Sequence, residues 1–103
     1  MQEQPSAVGA RLVVRASYPP LAFLYGLFTP TITINGQPQS RPWGVHPFDV
    51  PPGNYEVSVS YPWIFMPECG KNTVRLTLQQ GETKTVSYTA SYIRYLPGSI
   101  SVS

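Results

Sequence analysis

The sequence predicts an all-β fold: an antiparallel two-sheet β-sandwich of about six or seven strands. Three observations carry this. Apolar and polar residues alternate with a period of two in several short runs. Clusters of glycine, proline and asparagine separate those runs. No stretch keeps a helical period for more than a turn or two. The 103 residues suit one domain, and 42% hydrophobic residues supply its core. Residues 1–10 read as a flexible polar leader and 11–103 as the sandwich.

The elements follow in chain order. In Arg11–Tyr18, Leu12, Val14, Ala16 and Tyr18 share one face, and the valines favour a strand. Pro19-Pro20 ends it. Leu21–Phe28 is the most apolar run and lies between Pro20 and Pro30; a buried strand, a short helix and a protruding loop all fit it. Thr31–Asn35 alternates and runs into Asn35-Gly36, whose tolerance of positive φ signals a hairpin. Pro38 and Pro42 restrict the return arm, 37–42, to an edge or irregular strand. Trp43–Val50 reads as a short strand and Pro51-Pro52-Gly53-Asn54 as a turn. Tyr55–Tyr61 is the clearest strand, with Tyr55, Val57, Val59 and Tyr61 facing inward. Residues 62–71 read as a second apolar loop held between prolines. Asn72–Leu78 is a strand with Val74, Leu76 and Leu78 inward, and Gln79–Glu82 is a turn. Thr83–Tyr92 is a long strand, and Ile100 and Val102 belong to a last short one. The expected core joins Leu12, Val14, Ile32, Ile34, Tyr55, Val57, Val59, Val74, Leu76, Val86 and Tyr88.

Three motifs carry a family resemblance. They are Ile32-Thr-Ile-Asn-Gly36, Val50-Pro-Pro-Gly-Asn-Tyr-Glu-Val57 and Leu78-Gln-Gln-Gly-Glu-Thr83. In that order they resemble PEGA-type domains and the wider carboxypeptidase-regulatory, transthyretin-like group. Tyr18–Phe23 and Pro42-Trp-Gly44 add a similarity to short single-domain actinobacterial proteins of unassigned function. The resemblance spans roughly residues 11–98. It implies an immunoglobulin-like or transthyretin-like sandwich used as an accessory surface module, and it carries no catalytic motif.

Charge and cysteine content narrow the function classes. Charged residues are 12% of the chain, about half the ~25% usual for soluble domains. The seven basic residues are scattered singly, unlike the clustered stripe of a nucleic-acid binder, so no nucleic-acid partner is expected. Cys69 is the single cysteine and cannot form an internal disulfide, which favours a reducing, cytoplasmic setting. The first residues lack the pattern of a signal peptide, and no stretch has the ~20 apolar residues of a spanning helix.

Acid–base chemistry needs paired titratable groups. Glu3, Glu56, Glu68 and Glu82 read as solvated surface, and Asp49 as a cap for the turn at Pro51. His46 and Cys69 fall in different segments; together they cannot fill a four-ligand zinc site. No phosphate loop or nucleophile elbow occurs. The expectation is therefore a non-enzymatic chain with no metal and no cofactor.

The unusual feature is apolar segments outside the regular strands. Leu21, Phe23, Leu24, Tyr25, Leu27 and Phe28 form one; Trp63, Ile64, Phe65 and Met66 form another. Tyr92, Ile93, Tyr95 and Leu96 form a third. They serve either as plugs over the sandwich ends or as an exposed contact surface. The leading expectation is an interaction module that self-associates or docks on a protein partner through these loops. Peripheral attachment to a membrane is the second reading, with aromatic rings entering the interface beside Arg41, Lys71 or Arg94. A ligand-binding or small catalytic pocket near His46 is the third.

Overall fold

A computed structural model describes residues 9–19, 23–63, 66–91 and 96–103. In chain order it contains β1 (Ala10–Ser17), a 3₁₀ helix (Phe23–Leu27), β2 (Thr31–Ile34), β3 (Gln37–Ser40), β4 (Gly44–Val50), β5 (Gly53–Trp63), β6 (Met66–Leu78), β7 (Thr83–Thr89) and β8 (Ser99–Val102). The strands form two four-stranded sheets, ordered β4-β1-β7-β8 and β3-β2-β5-β6. This is the expected all-β sandwich, with eight strands where the sequence pattern predicts six or seven. One pairing departs from antiparallel: β1 and β7 run parallel, with Val14 opposite Val86. That pair is set at the β6–β7 turn, where Gly81 N donates to Gly9 O (2.6 Å) and Arg11 N to Glu82 O (2.9 Å).

Alternation decides what is buried. Leu12, Val14 and Ala16 from β1 meet Ile32, Val57, Val59, Leu76 and Leu78 across the sandwich, with Val86 and Tyr88 beside them. All are buried, and each of the larger aliphatic side chains contributes roughly 1.5–3 kcal/mol by leaving water. Ile34, Tyr55 and Val74 pack against this core while partly buried. The opposite faces carry hydroxyls. On β5, Ser58 Oγ and Thr73 Oγ1 of β6 lie 2.7 Å apart, a cross-strand pair that satisfies both.

Several expectations are corrected by this frame. Ala10, assigned to the leader, is a buried residue of β1. Residues 62–71 are not a loop between prolines, because β5 continues through Trp63 and β6 begins at Met66. β2 pairs with β5 only as far as Ser60, so Pro62 lies where that flank carries no β2 ladder, and Pro67 lies on an edge strand. Register shifts between Val59 and Trp63 absorb the irregularity. Asp49 caps no turn: it stands on β4 opposite Arg11, whose Nε donates to its Oδ1 at 3.0 Å.

The two sheets are tied at one point by a buried bond. Tyr88 Oη, on β7, donates to the carbonyl of Gly70, on β6, at 2.6 Å. Gly70 has φ +60°, and a Cβ there would lie 2.6 Å from Tyr61 Cε1 and 2.8 Å from Tyr88 Oη. The same carbonyl accepts from Gly98 N at 2.9 Å. A Cβ on Gly98 would lie 2.6 Å from the Tyr88 ring, so Gly98 leaves room for the ring and Gly70 for its hydroxyl.

Burial raises the pKa of both core phenols, Tyr61 and Tyr88, above the ordinary tyrosine value. Neighbouring side chains, Tyr25 above all, push Tyr61 further. As pH rises, the unfolded chain therefore releases these two protons before the folded one. Their contribution to stability is fully present below about pH 10, the ordinary tyrosine pKa, and is lost progressively above it. Urea midpoints are expected to fall above about pH 10, and to fall less steeply in Tyr61→Phe. An identical fall in that variant would contradict this account.

Candidate interaction surface

The 3₁₀ helix in the apolar segment 21–28 is built from the bottom up by three fixed points. Phe28 N donates to Tyr25 O at 3.0 Å, closing a turn of three residues. Trp43, just before β4, places its indole Nε1 between the carbonyls of Tyr25 (3.0 Å) and Phe28 (2.9 Å), giving the Tyr25 carbonyl a second donor and the Phe28 carbonyl, past the helix end, a donor as well. Tyr25 turns inward, and its hydroxyl donates to Ser91 O at 2.8 Å, just past the end of β7. Each polar atom of these large rings thus meets a backbone carbonyl, as buried tyrosine and tryptophan require.

Ring contacts then gather the aromatic residues. Tyr25 lies 4.8 Å from Tyr61, 5.5 Å from Trp63 and 6.4 Å from Tyr18, centroid to centroid. Tyr18 meets Trp43 edge-on at 5.0 Å, and Phe28 meets Trp63 at 4.9 Å. Segments 21–28 and 62–67 therefore emerge at the same end of the sandwich. Ser91 brings the approach to the third segment, 92–96, to that end as well. Aromatic pairs at these separations contribute about 0.5–1.5 kcal/mol each beyond area burial.

Within this end the side chains divide. Tyr25 is buried and belongs to the core, so it plugs the sandwich and offers no contact surface. Phe28 and Trp63 are half-buried. Leu27 is 76% exposed and Leu96 45%. Leu21, Ile64 and Phe65 lie outside the described residues, as do Tyr92, Ile93, Tyr95 and Arg94; the side chains of Phe23, Leu24 and Met66 do too. The sequence reading missed Trp43 as the cap of the helix. Its position between Pro42 and Gly44, in a chain with only two tryptophans, was the available signal.

The other candidate groups sit elsewhere. His46 is on β4, and its Nε2 hydrogen-bonds to Pro42 O at 2.6 Å. Cys69 is buried on β6. Those strands close opposite sides of the sandwich, since β4 continues from β3 and β6 lies against β8. The two residues form no pair. The described carboxylates face cations: Asp49 with Arg11 and Glu56 with Arg75 (3.0 and 2.9 Å), Glu68 with Lys71 and Glu82 with Lys84 (both 3.8 Å). Of the cations named for a membrane contact, Lys71 is thus beside Glu68, and Arg41 lies over the Phe48 ring at 5.4 Å.

A shallow groove of about 470 Å³ lies at the far end, between Asn35, Asn54, Glu56, Arg75 and Thr77. Its polar groups already satisfy one another. Asn35 Oδ1 accepts from Glu56 N at 2.7 Å, Thr77 Oγ1 donates to Asn54 Oδ1 at 2.7 Å, and Arg75 pairs with Glu56. Among the described residues, no helix is long and apolar enough to cross a membrane. No protein-family model and no curated protein matches the chain.

The burial of Cys69 has a direct consequence. A thiol-reactive dye is expected to leave the native protein unmodified and to label it only under denaturing conditions, because a buried thiol must be uncovered before it reacts. Rapid labelling of the native protein would show Cys69 to be an accessible thiolate.

Proposed function

We propose that this chain is a non-enzymatic interaction module whose aromatic end docks on a protein. The observation that carries the reading is Leu27. It stands 76% exposed on a short helix that is fixed from beneath by Tyr25 and Trp43, beside the half-buried Phe28–Trp63 pair. A large apolar side chain held on a rigid base loses little freedom when a partner covers it. Aromatic neighbours around such an anchor match the composition of interface cores.

Three of the four described ion pairs favour the same end, the fourth, Glu68–Lys71, lying on β6 near the Tyr61–Cys69 pairing. Arg11–Asp49, Glu56–Arg75 and Glu82–Lys84 all lie toward the β-turns at 51–54 and 79–82, away from Leu27. Desolvating the aromatic end therefore strands none of these six charges.

A photoreactive phenylalanine analogue at position 27, expressed in the source cells, tests this. A discrete protein adduct is expected at position 27, lost on adding Phe28→Ser, with none from the same probe at Thr77 on the far end. Equal adduct patterns at 27 and 77 would contradict the reading, and adducts to lipid alone would replace it with membrane attachment.

A further inference from the structure

Each sheet has two edge strands, and an unprotected edge is a template for another strand. Three of the four edges are blunted. β4 carries Pro47 and the charged Asp49. β3 carries Pro38. On β6, Arg75 is exposed, Lys84 Nζ occupies the carbonyl of Thr77 at 2.8 Å, and Asn72 Oδ1 takes the N–H of Thr73 at 2.8 Å. β8, Ser99-Ile-Ser-Val102, has no charge, no proline and no bulge. Its place is fixed: Gly98 N donates to Gly70 O, and Asn72 Nδ2 donates to Gly98 O at 2.7 Å.

The open edge of β8 has a definite register. Ser103 exchanges both backbone bonds with Thr85, at 2.9 and 2.8 Å. In an antiparallel ladder, residues 99, 101 and 103 therefore face β7, while Ile100 and Val102 direct their N–H and C=O groups out of the sheet. No described residue pairs with that outer edge.

We propose that two copies of this chain join through β8, pairing antiparallel about Ser101. The sequence Ser99-Ile-Ser-Val-Ser103 is self-complementary under that two-fold axis. Ile100 of one copy meets Val102 of the other as a hydrogen-bonded pair, Ser101 meets Ser101, and Ser99 meets Ser103. Every outward N–H and C=O of Ile100 and Val102 gains a partner. The hydroxyls line one face of the joint. Ile100 and Val102 line the other, where both already pack against the core while only partly buried. β8 itself and Thr85, Ser87 and Thr89 beside it carry no charge, so the axis brings no like charges together. The result is one continuous sheet from two four-stranded halves, using a surface separate from the aromatic end.

Three variants in sedimentation velocity test this. The unaltered chain is expected to dimerise, and Ser101→Lys, which sets two ammonium groups across the axis, to sediment as a monomer with an unchanged circular dichroism spectrum. Ser101→Cys is expected to form a disulfide-linked dimer in air. Opposed residues of a non-hydrogen-bonded pair have Cα atoms about 4.5 Å apart, inside the ~4.4–6.8 Å disulfide range. Leu27→Ser should leave the dimer intact, which separates this surface from the aromatic end. A monomer at every concentration reached, a dimer that survives Ser101→Lys, or a dimer lost in Leu27→Ser and kept in Ser101→Lys would overturn the proposal.

Discussion

The grip of Gly70 and Gly98 on Tyr88 is the constraint on which the rest of the structure depends. A sandwich is held mostly by non-directional burial, which fixes how much surface is hidden and leaves the relative placement of two sheets loosely set. The Tyr88–Gly70 hydrogen bond supplies direction, since it crosses from β7 to β6 inside the core. At this point a side chain on Gly98 would occupy the space of the ring, and one on Gly70 that of its hydroxyl. One phenol thus sets the distance between sheets at the aromatic end, and the Gly70 carbonyl receives a second donor from the chain that leads into β8.

Both surfaces of interest descend from that point. Toward the aromatic end, Tyr61 packs against Gly70 and Tyr25 stacks beside Tyr61, so the 3₁₀ helix that presents Leu27 rests on the clamp through two rings. Toward the edge, Gly98 hands the chain into β8 at a fixed height beside β7, with Asn72 holding the Gly98 carbonyl. Low charge on this protein then acquires a physical reading. The described ion pairs lie mainly toward the far turns, and on the outer faces Arg11 meets Asp49 and Glu56 meets Arg75 as opposite charges, beside the Ser58–Thr73 hydroxyl contact. Such faces stay hydrated without repelling a second copy.

Much of the fold was legible because period-two alternation is a local signal. Val57, Val59 and Tyr61 announce their face without reference to any other strand, and Asn35-Gly36 announces its hairpin. What was not legible depends on partners distant in sequence. The parallel match of β1 with β7 joins residues more than seventy positions apart, and no alternation within either strand encodes direction. Pro62 and Pro67 read as loop boundaries because proline breaks a paired ladder, yet the ladder has no β2 beside Pro62. In the aromatic segment, composition alone left plug and contact undecided; geometry divides it residue by residue, with Tyr25 inward and Leu27 outward. The unprotected edge of β8 was invisible until the strand order showed which strands were terminal.

Urea unfolding of two alanine variants tests the clamp most directly. Gly70 and Gly81 have similar backbone geometry, φ +60° and +80°, but nothing lies within 4 Å of a Cβ added at Gly81. Gly81→Ala therefore meets backbone strain alone, roughly 1–2 kcal/mol. Gly70→Ala meets the same strain and displaces the Tyr61 and Tyr88 rings as well. The account predicts that Gly70→Ala loses about 1–3 kcal/mol more than Gly81→Ala, the range of overpacking a filled core. Equal losses in the two variants would contradict it.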